Sequence, residues 1–331
     1  MQNDTIMMVH GSGGDATGAL IHEIFADAFS NDVLNQMEDA AVVAGSGTIA
    51  VTTDSFVVTP LQFRGGDIGR LAVCGTVNDL LMRGAEPKYL TCGFILEEGL
   101  SVGLLRELVN SMAETAREAG VQIIAGDTKV IEGAGGCYIN TAGVGFVPDG
   151  TDISALNAEA GDAILVSGTM GDHHAALLSE RMNIKNDIVS DAAPLTDMVL
   201  RLIRSGIPVH TLRDITRGGL ATVLKELAAA SGKTFVIKDG AVPVSEKVRG
   251  FCGLLGLDPL YMGNEGKLAA IIPSEYAGKA LEIIRGSRFG ADAAIIGSVA
   301  DEEPGELYAE TAIGGRRVLD ILQGEGLPRI C

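Results

Sequence analysis

The chain has 331 residues, 47% of them hydrophobic, with a mean hydropathy of +0.27, so it is long enough for two domains and too apolar to remain disordered. Its formal charge of −18 argues against a nucleic-acid binder, because no basic stripe exists to displace counterions from phosphates. A phosphate ligand would have to arrive with a metal.

Glycine is abundant, at 44 residues, and Trp is absent. Such a chain builds its core from Ala, Val, Ile and Leu and uses glycine for turns and close approaches to ligands. The five cysteines, Cys74, Cys92, Cys137, Cys252 and Cys331, are odd in number and form no C-x-x-C pair, so neither a disulfide framework nor a structural zinc site is expected. The first four lie in apolar contexts and read as packing thiols. No secretory leader and no membrane-spanning run is expected, which makes the cytoplasm the default compartment.

In chain order, His10-Gly11-Ser12-Gly13-Gly14-Asp15 precedes a helix with Leu20, Ile21, Ile24 and Phe25 on one face. Successive glycines before a helix can wrap backbone N–H groups around an anion, although a plain leader has the same composition. A β-branched strand from Ile49 to Thr53 ends at Asp54. A helix follows from about Asp67 to Met82, with Gly84 and Pro87 as stop signals. Asp79 stands out within it, since packing does not account for it. A further helix from Leu104 to Ala119, capped by Gly120, leads into a strand from Val121 to Ala125 and then to Asp127 and Lys129. A strand from Cys137 to Val147 closes the first half.

Pro148 to Asp152 reads as a linker. The second half offers a strand from Ala163 to Val166, a helix starting near His173, a helix around Leu195 to Ile203, a strand from Val209 to Leu212 and a helix from Ala221 to Ala230. After the Gly263 to Gly266 turn, strand, helix and strand alternate to about Val299. Asp172 reads as a helix cap, and His173 and His174 as helix-start residues. The pattern predicts two α+β domains, residues 1–150 and 151–323, followed by a mobile tail at 324–331.

Asp39, Asp54, Asp79 and Asp127 each fall at a strand end or helix edge. Individually these are ordinary turn and cap positions. Together, in so acidic a chain, they suggest oxygen ligands for Mg²⁺, which keeps waters and shares carboxylates with substrate phosphates. Lys129 is placed to meet a phosphate oxygen, and the loop from His10 to Asp15 could close over the same group. That combination points to phosphoryl transfer. The chain ends in Leu327-Pro328-Arg329-Ile330-Cys331 after Gly324-Glu325-Gly326. A thiol on a glycine-loosened end can be acylated and later release its cargo; a frayed end that finishes in Cys is the plain alternative.

Glu38-Asp39-Ala40-Ala41, Thr53-Asp54-Ser55, Asn78-Asp79-Leu80 and Gly126-Asp127-Thr128 resemble the ATP–Mg pattern of the superfamily of aminoimidazole ribonucleotide synthetase, selenophosphate synthetase and thiamine-phosphate kinase. The loop from His10 to Gly14, Gly65 to Leu71, Asp214 to Leu220, Asn264 to Lys267 and the terminal Pro328-Arg329-Ile330-Cys331 resemble, more narrowly, the HypE family of hydrogenase maturation factors. The resemblance runs end to end.

It implies a carbamoyl dehydratase in which a carbamoyltransferase, HypF, loads Cys331. ATP then drives conversion of the S-carboxamide to a thiocyanate, and the cyano group passes to iron on a HypC–HypD complex. It further implies a PurM-like fold, a homodimer formed by the N-terminal domains, and ATP with Mg²⁺ in the cleft. On this resemblance Cys331 is the carrier, Glu265 the base, Lys129 a catalytic cation and Arg217 a phosphate or tail contact. ATP binding falls to His10, Gly11, Gly13, Gly14, Asp54, Asp79, Asp127, Lys129 and Arg217, and metal binding to Asp39, Asp54, Asp79 and Asp127. Two other readings remain: a small-molecule kinase or synthetase with an ornamental tail, and a non-enzymatic scaffold gated by nucleotide.

Overall fold

The computed structural model describes residues 5–11, 14–36, 41–45 and 47–322. Of the expected site residues, Gly13, Asp39 and Cys331 lie outside them. The first half is a four-stranded sheet built from β1 (Thr48–Phe56), β2 (Glu86–Glu97), β3 (Gln122–Ile131) and β4 (Cys137–Val147), in the order β1-β4-β2-β3. Helices α1 (Ile68–Met82) and α2 (Val102–Ala119) accompany it. The Asp67 carboxylate accepts the N–H of Arg70 at 2.9 Å to start α1. Gly120 ends α2 at φ 75°, the left-handed geometry that glycine adopts without a Cβ clash.

Strand β2 is not among the expected elements, and Pro87 reads in the sequence only as a stop for the preceding helix. The proline falls where β2 has one partner: it faces Gly145 on β4, while pairing with β3 begins only at Tyr89. A missing N–H is harmless there. Asp54 and Asp127 also lie inside β1 and β3 and not beyond their ends.

The second half holds β5 (Asp162–Val166), α3 (Asp172–Arg181), α4 (Thr196–Arg204), β6 (Thr211–Asp214), α5 (Gly219–Ser231), β7 (Thr234–Lys238), α6 (Glu246–Leu255), β8 (Leu268–Pro273), α7 (Ala277–Arg285), β9 (Ala294–Ala300), β10 (Leu307–Glu310) and β11 (Arg316–Leu319). Its seven-stranded sheet runs β11-β10-β7-β9-β5-β8-β6, with β7 and β10 parallel and the other pairs antiparallel. The last two strands lay beyond the expected elements. They are short, and polar residues break their apolar pattern.

The N-terminal half shares its core with the C-terminal half. One buried cluster runs from Ile6, Leu71 and Leu90 to Leu165, Leu268 and Ile284, while a second, with Val166, Leu224 and Phe235, belongs to the C-terminal half. Helix α1 is buried along nearly all its length, so it has no polar stripe and must be covered on every side. The contact between halves is also polar. Ser190 donates its N–H to the Arg64 carbonyl at 2.8 Å, Arg64 Nε meets Glu180 at 2.6 Å, and Arg70 Nε donates to the Ala192 carbonyl at 2.7 Å.

Gly65 sits in this seam at φ +93°, and a Cβ there would lie 2.7 Å from the Ser190 backbone. Gly65→Ala is predicted to lower stability by about 2–5 kcal/mol, through left-handed strain plus overpacking. Gly150→Ala, at φ +80° with nothing within 4 Å, should lose only about 1 kcal/mol. Urea unfolding of both variants measures the difference.

Candidate active site

A cavity of about 460 Å³ opens between the halves, floored by β1 and α1 and roofed by the end of β6 and the Glu265 turn. Gly75 brings floor and helix together: a Cβ there would lie 2.7 Å from the Phe56 ring, so only glycine lets β1 settle this close to α1. That approach places Asp54 near α1, and one helical turn on, Asp79 Oδ2 accepts the Thr52 hydroxyl at 2.9 Å. Asp214 and Glu265 enter from the other half, with Arg213 and Arg217 at the rim.

Burial and neighbouring negative charge raise the proton affinity of three of these carboxylates, Asp79, Asp214 and Glu265. Burial, with help from Asp54, raises Asp79, against the pull of the Thr52 hydrogen bond and Arg213. Burial and the neighbouring Asp79 push Asp214 up to about 6. Glu265, buried, is raised well above the carboxylate range by desolvation first and then by Asp191, Asp214 and Asp54, with Arg217 opposing. Such a cavity calls for cations. Among the described residues no three His, Cys, Asp or Glu side chains converge tightly enough to hold an ion by themselves. This donor set suits Mg²⁺, which fills much of its shell with water and phosphate oxygens.

The other expected ligands lie elsewhere. Lys129 Nζ is 2.8 Å from the Asp127 carboxylate, and that ion pair holds Asp127 low. Both line a second cavity, of about 380 Å³, whose wall includes Phe25, Phe29 and Phe94. Asp54 pairs with Thr141, Thr141 with Cys92 and Cys92 with Gly126, so Asp54 and Asp127 stand on opposite edges of the sheet, roughly 14 Å apart at the usual strand spacing. Within one chain, therefore, Lys129 and Asp127 do not join Asp54, Asp79, Arg217 and Glu265, which corrects the picture of a single carboxylate cluster.

Gly11 lines the second cavity and packs against β3, where a Cβ would lie 2.8 Å from Val130. Gly14 opens the first helix. His10 is buried, and its Nδ1 accepts the Met7 N–H at 3.0 Å inside a turn, which takes that nitrogen away from any phosphate. The buried thiols fit their packing role, with burial pushing Cys137 up to about 12 and Cys252 up to about 11. The cap of α3 is Gly171 at φ +88° and not Asp172, which instead accepts the Thr169 hydroxyl at 2.6 Å. His173 and His174 are buried at the helix start.

Sequence reasoning passed over Asp214 as a site residue. The available signal was an Arg-Asp pair closing an otherwise apolar strand. The carboxyl of Asp214 keeps its proton to about pH 6 when folded but only to its ordinary 3.8 when unfolded, so stability falls as pH rises through that window. Asp214→Asn should match the parent protein near pH 4 and gain on it up to a plateau above pH 6, by at most about 3 kcal/mol. Thermal unfolding across that range measures it; a pH-independent difference would refute the desolvated acid.

Residues 37–147 match the N-terminal domain of AIR synthase related proteins, and residues 159–310 match their C-terminal domain. The carbamoyl dehydratase HypE of Azotobacter vinelandii is 49% identical over 336 residues, covering 100% of this chain and 98% of that protein. A crystal structure of hydrogenase maturation protein HypE in complex with ATP is similar at a TM-score of 0.96 and 47% identity, covering 99% of this chain and 100% of that one. A crystal structure of a HypE–HypF complex aligns at a TM-score of 0.81 and 48% identity, covering 92% of this chain and 100% of that one.

Proposed function

The chain belongs to the HypE family of carbamoyl dehydratases, enzymes of hydrogenase maturation, and from that premise we propose that it uses ATP to dehydrate a carbamoyl group carried on its own Cys331. The product is a thiocyanate that supplies the cyanide ligands of nickel–iron hydrogenase. The observation that carries this reading is the position of the last described residue, Leu322, near the rim of the carboxylate cavity. Leu322 donates its N–H to Thr222 Oγ1 at 3.2 Å. Thr222 touches Gly218, where a Cβ would lie 2.6 Å from it, and Arg217 beside Gly218 lines the cavity. Nine residues, 323–331, can span at most about 30 Å from that root, and in this proposal that reach carries the terminal sulfur to Glu265.

An amide oxygen is a poor leaving group, and phosphorylation by ATP converts it to phosphate. Departure of that phosphate and loss of the nitrogen's protons leave S–C≡N. In this reading Glu265 accepts a nitrogen proton, Arg217 steadies phosphate or tail, and Lys129 neutralises phosphate charge. Mg²⁺, held by Asp54 and Asp79 together with phosphate oxygens, and by Asp39 and Asp127 where they reach it, would supply charge neutralisation. The aromatic-walled cavity beside Lys129 offers an apolar slot for the adenine ring.

The outer face of the first sheet is open, with Ile49 53% and Val51 70% exposed on the edge strand β1. Pairing of two N-terminal domains through this face would cover it, and could bring Lys129 and Asp127 of one copy toward Asp54 and Asp79 of the other. HypF, the partner in the related complex, is the proposed source of the carbamoyl group, and a HypC–HypD complex its proposed destination. No helix among the described residues is long and apolar enough to cross a membrane; action in the cytoplasm is part of this proposal.

The test is the mass of the C-terminal peptide after carbamoylated protein meets Mg-ATP. The parent should lose one water from Cys331, and Asp79→Asn should slow that loss by at least about 100-fold. Turnover of a soluble acceptor by Cys331→Ala would favour a small-molecule kinase, while hydrogenase maturation by an ATPase-dead Asp79→Asn would favour a scaffold. Because the carboxylates must shed protons to bind a cation, Mg²⁺ should raise the melting temperature more at pH 8 than at pH 5. An equal shift at both would count against the cavity as its site.

A further inference from the structure

The strip from Asn186 to Leu195 threads between the halves and touches the site from behind. The side chain of its Asp191 is almost completely buried. Asp191 Oδ1 accepts the backbone N–H of Glu265 at 3.1 Å, and Lys267 Nζ stands 3.3 Å from Asp191 Oδ2, with the two side chains only 10% and 6% exposed. Asp191 Oδ2 makes no hydrogen bond among the described residues, so the Lys267 ammonium is what offsets its charge.

The spacing leaves little freedom. A Cβ on Gly266 would lie 2.0 Å from the Asp191 carbonyl oxygen, and one on Gly168 would lie 2.8 Å from Lys267 Cε. The other side of the Glu265 peptide is also engaged: its carbonyl accepts Ala193 N–H at 3.4 Å and Asn78 Nδ2 at 3.5 Å. The same strip is tied to the N-terminal half through Asn186 and Ser190 with Arg64 and through Ala192 with Arg70. The backbone of Glu265 is thus referenced to the half that carries Asp54 and Asp79.

We infer that the buried Asp191–Lys267 pair is a positioning device that fixes the Glu265 carboxyl over the site without itself touching substrate. The inference rests on the reading of Glu265 as the base. Loss of Lys267 leaves Asp191 buried and uncompensated, and loss of Asp191 frees the Glu265 N–H. Either lets the turn shift, and a displacement near 1 Å can slow a reaction about 100-fold.

The experiment measures, in the full chain, the single-turnover rate of water loss from carbamoylated Cys331, the affinity for ATP and the melting curve. The variants are Lys267→Met, Lys267→Arg, Asp191→Ala and Glu265→Gln. Lys267→Met and Asp191→Ala should be slowed about 10- to 100-fold per folded molecule with ATP affinity within about twofold, and Lys267→Arg should recover to within about threefold of the parent. The inference is overturned if Lys267→Met keeps the parent rate, if Lys267→Arg is as slow as Lys267→Met, or if rate and ATP affinity fall together. If Glu265→Gln keeps the parent rate, the base assignment itself fails, an outcome distinct from failure of the pair.

Discussion

Asn78 joins the halves at the point where the site is built. Its Oδ1 accepts the Leu195 N–H at 2.9 Å and its Nδ2 donates to the Ala193 carbonyl at 3.1 Å, all buried. The next residue, Asp79, turns into the cavity. A single turn of α1 therefore both bolts the C-terminal half down and aims a carboxylate between the halves. Breaking such a bond in a dry seam leaves polar groups without water to replace it, at a cost of about 1–3 kcal/mol per group. The seam must form as a unit, and the continuous core beneath it, running from Leu71 to Leu268, makes that formation cooperative.

The cavity is electrostatically unfinished by itself. Asp79, Asp214 and Glu265 all hold protons more tightly than free carboxyls do, mainly because burial removes the water that would solvate their charge. This gives the overall acidity a local meaning. Charge that would be unremarkable on a surface is concentrated where positive charge must enter for it to ionise. Arg213 and Arg217 stand at the rim, and Arg213 is already engaged with Glu226 at 3.2 Å.

Much of the architecture was legible in the residues. Helix α1 appears over the stretch from about Asp67 to Met82 where it was expected, and α2 ends at the glycine expected to end it. The unread strand β2 shows where local rules fall short: Pro87 is a breaker only where its N–H is needed, and which neighbour lies on which side of a strand is a non-local fact. The pairing of Asp191 with Lys267 was invisible for the same reason, although Lys267 closes the Asn264 to Lys267 motif. One sits in a strip without periodicity and the other just before a strand, and only packing turns them into a pair.

The sequence by itself determined the residue chemistry: the glycines that permit close approach, the acidic side chains, the glycine that ends α2 and the motifs that mark the family. Tertiary structure decided which of these meet. It gathered Asp54, Asp79, Asp214 and Glu265 into one cavity and set Asp127 and Lys129 on the opposite sheet edge. The reason is physical: strand order places β1 and β3 at the two margins of one sheet, and that order follows from long-range pairing and burial, which no local spacing of residues encodes.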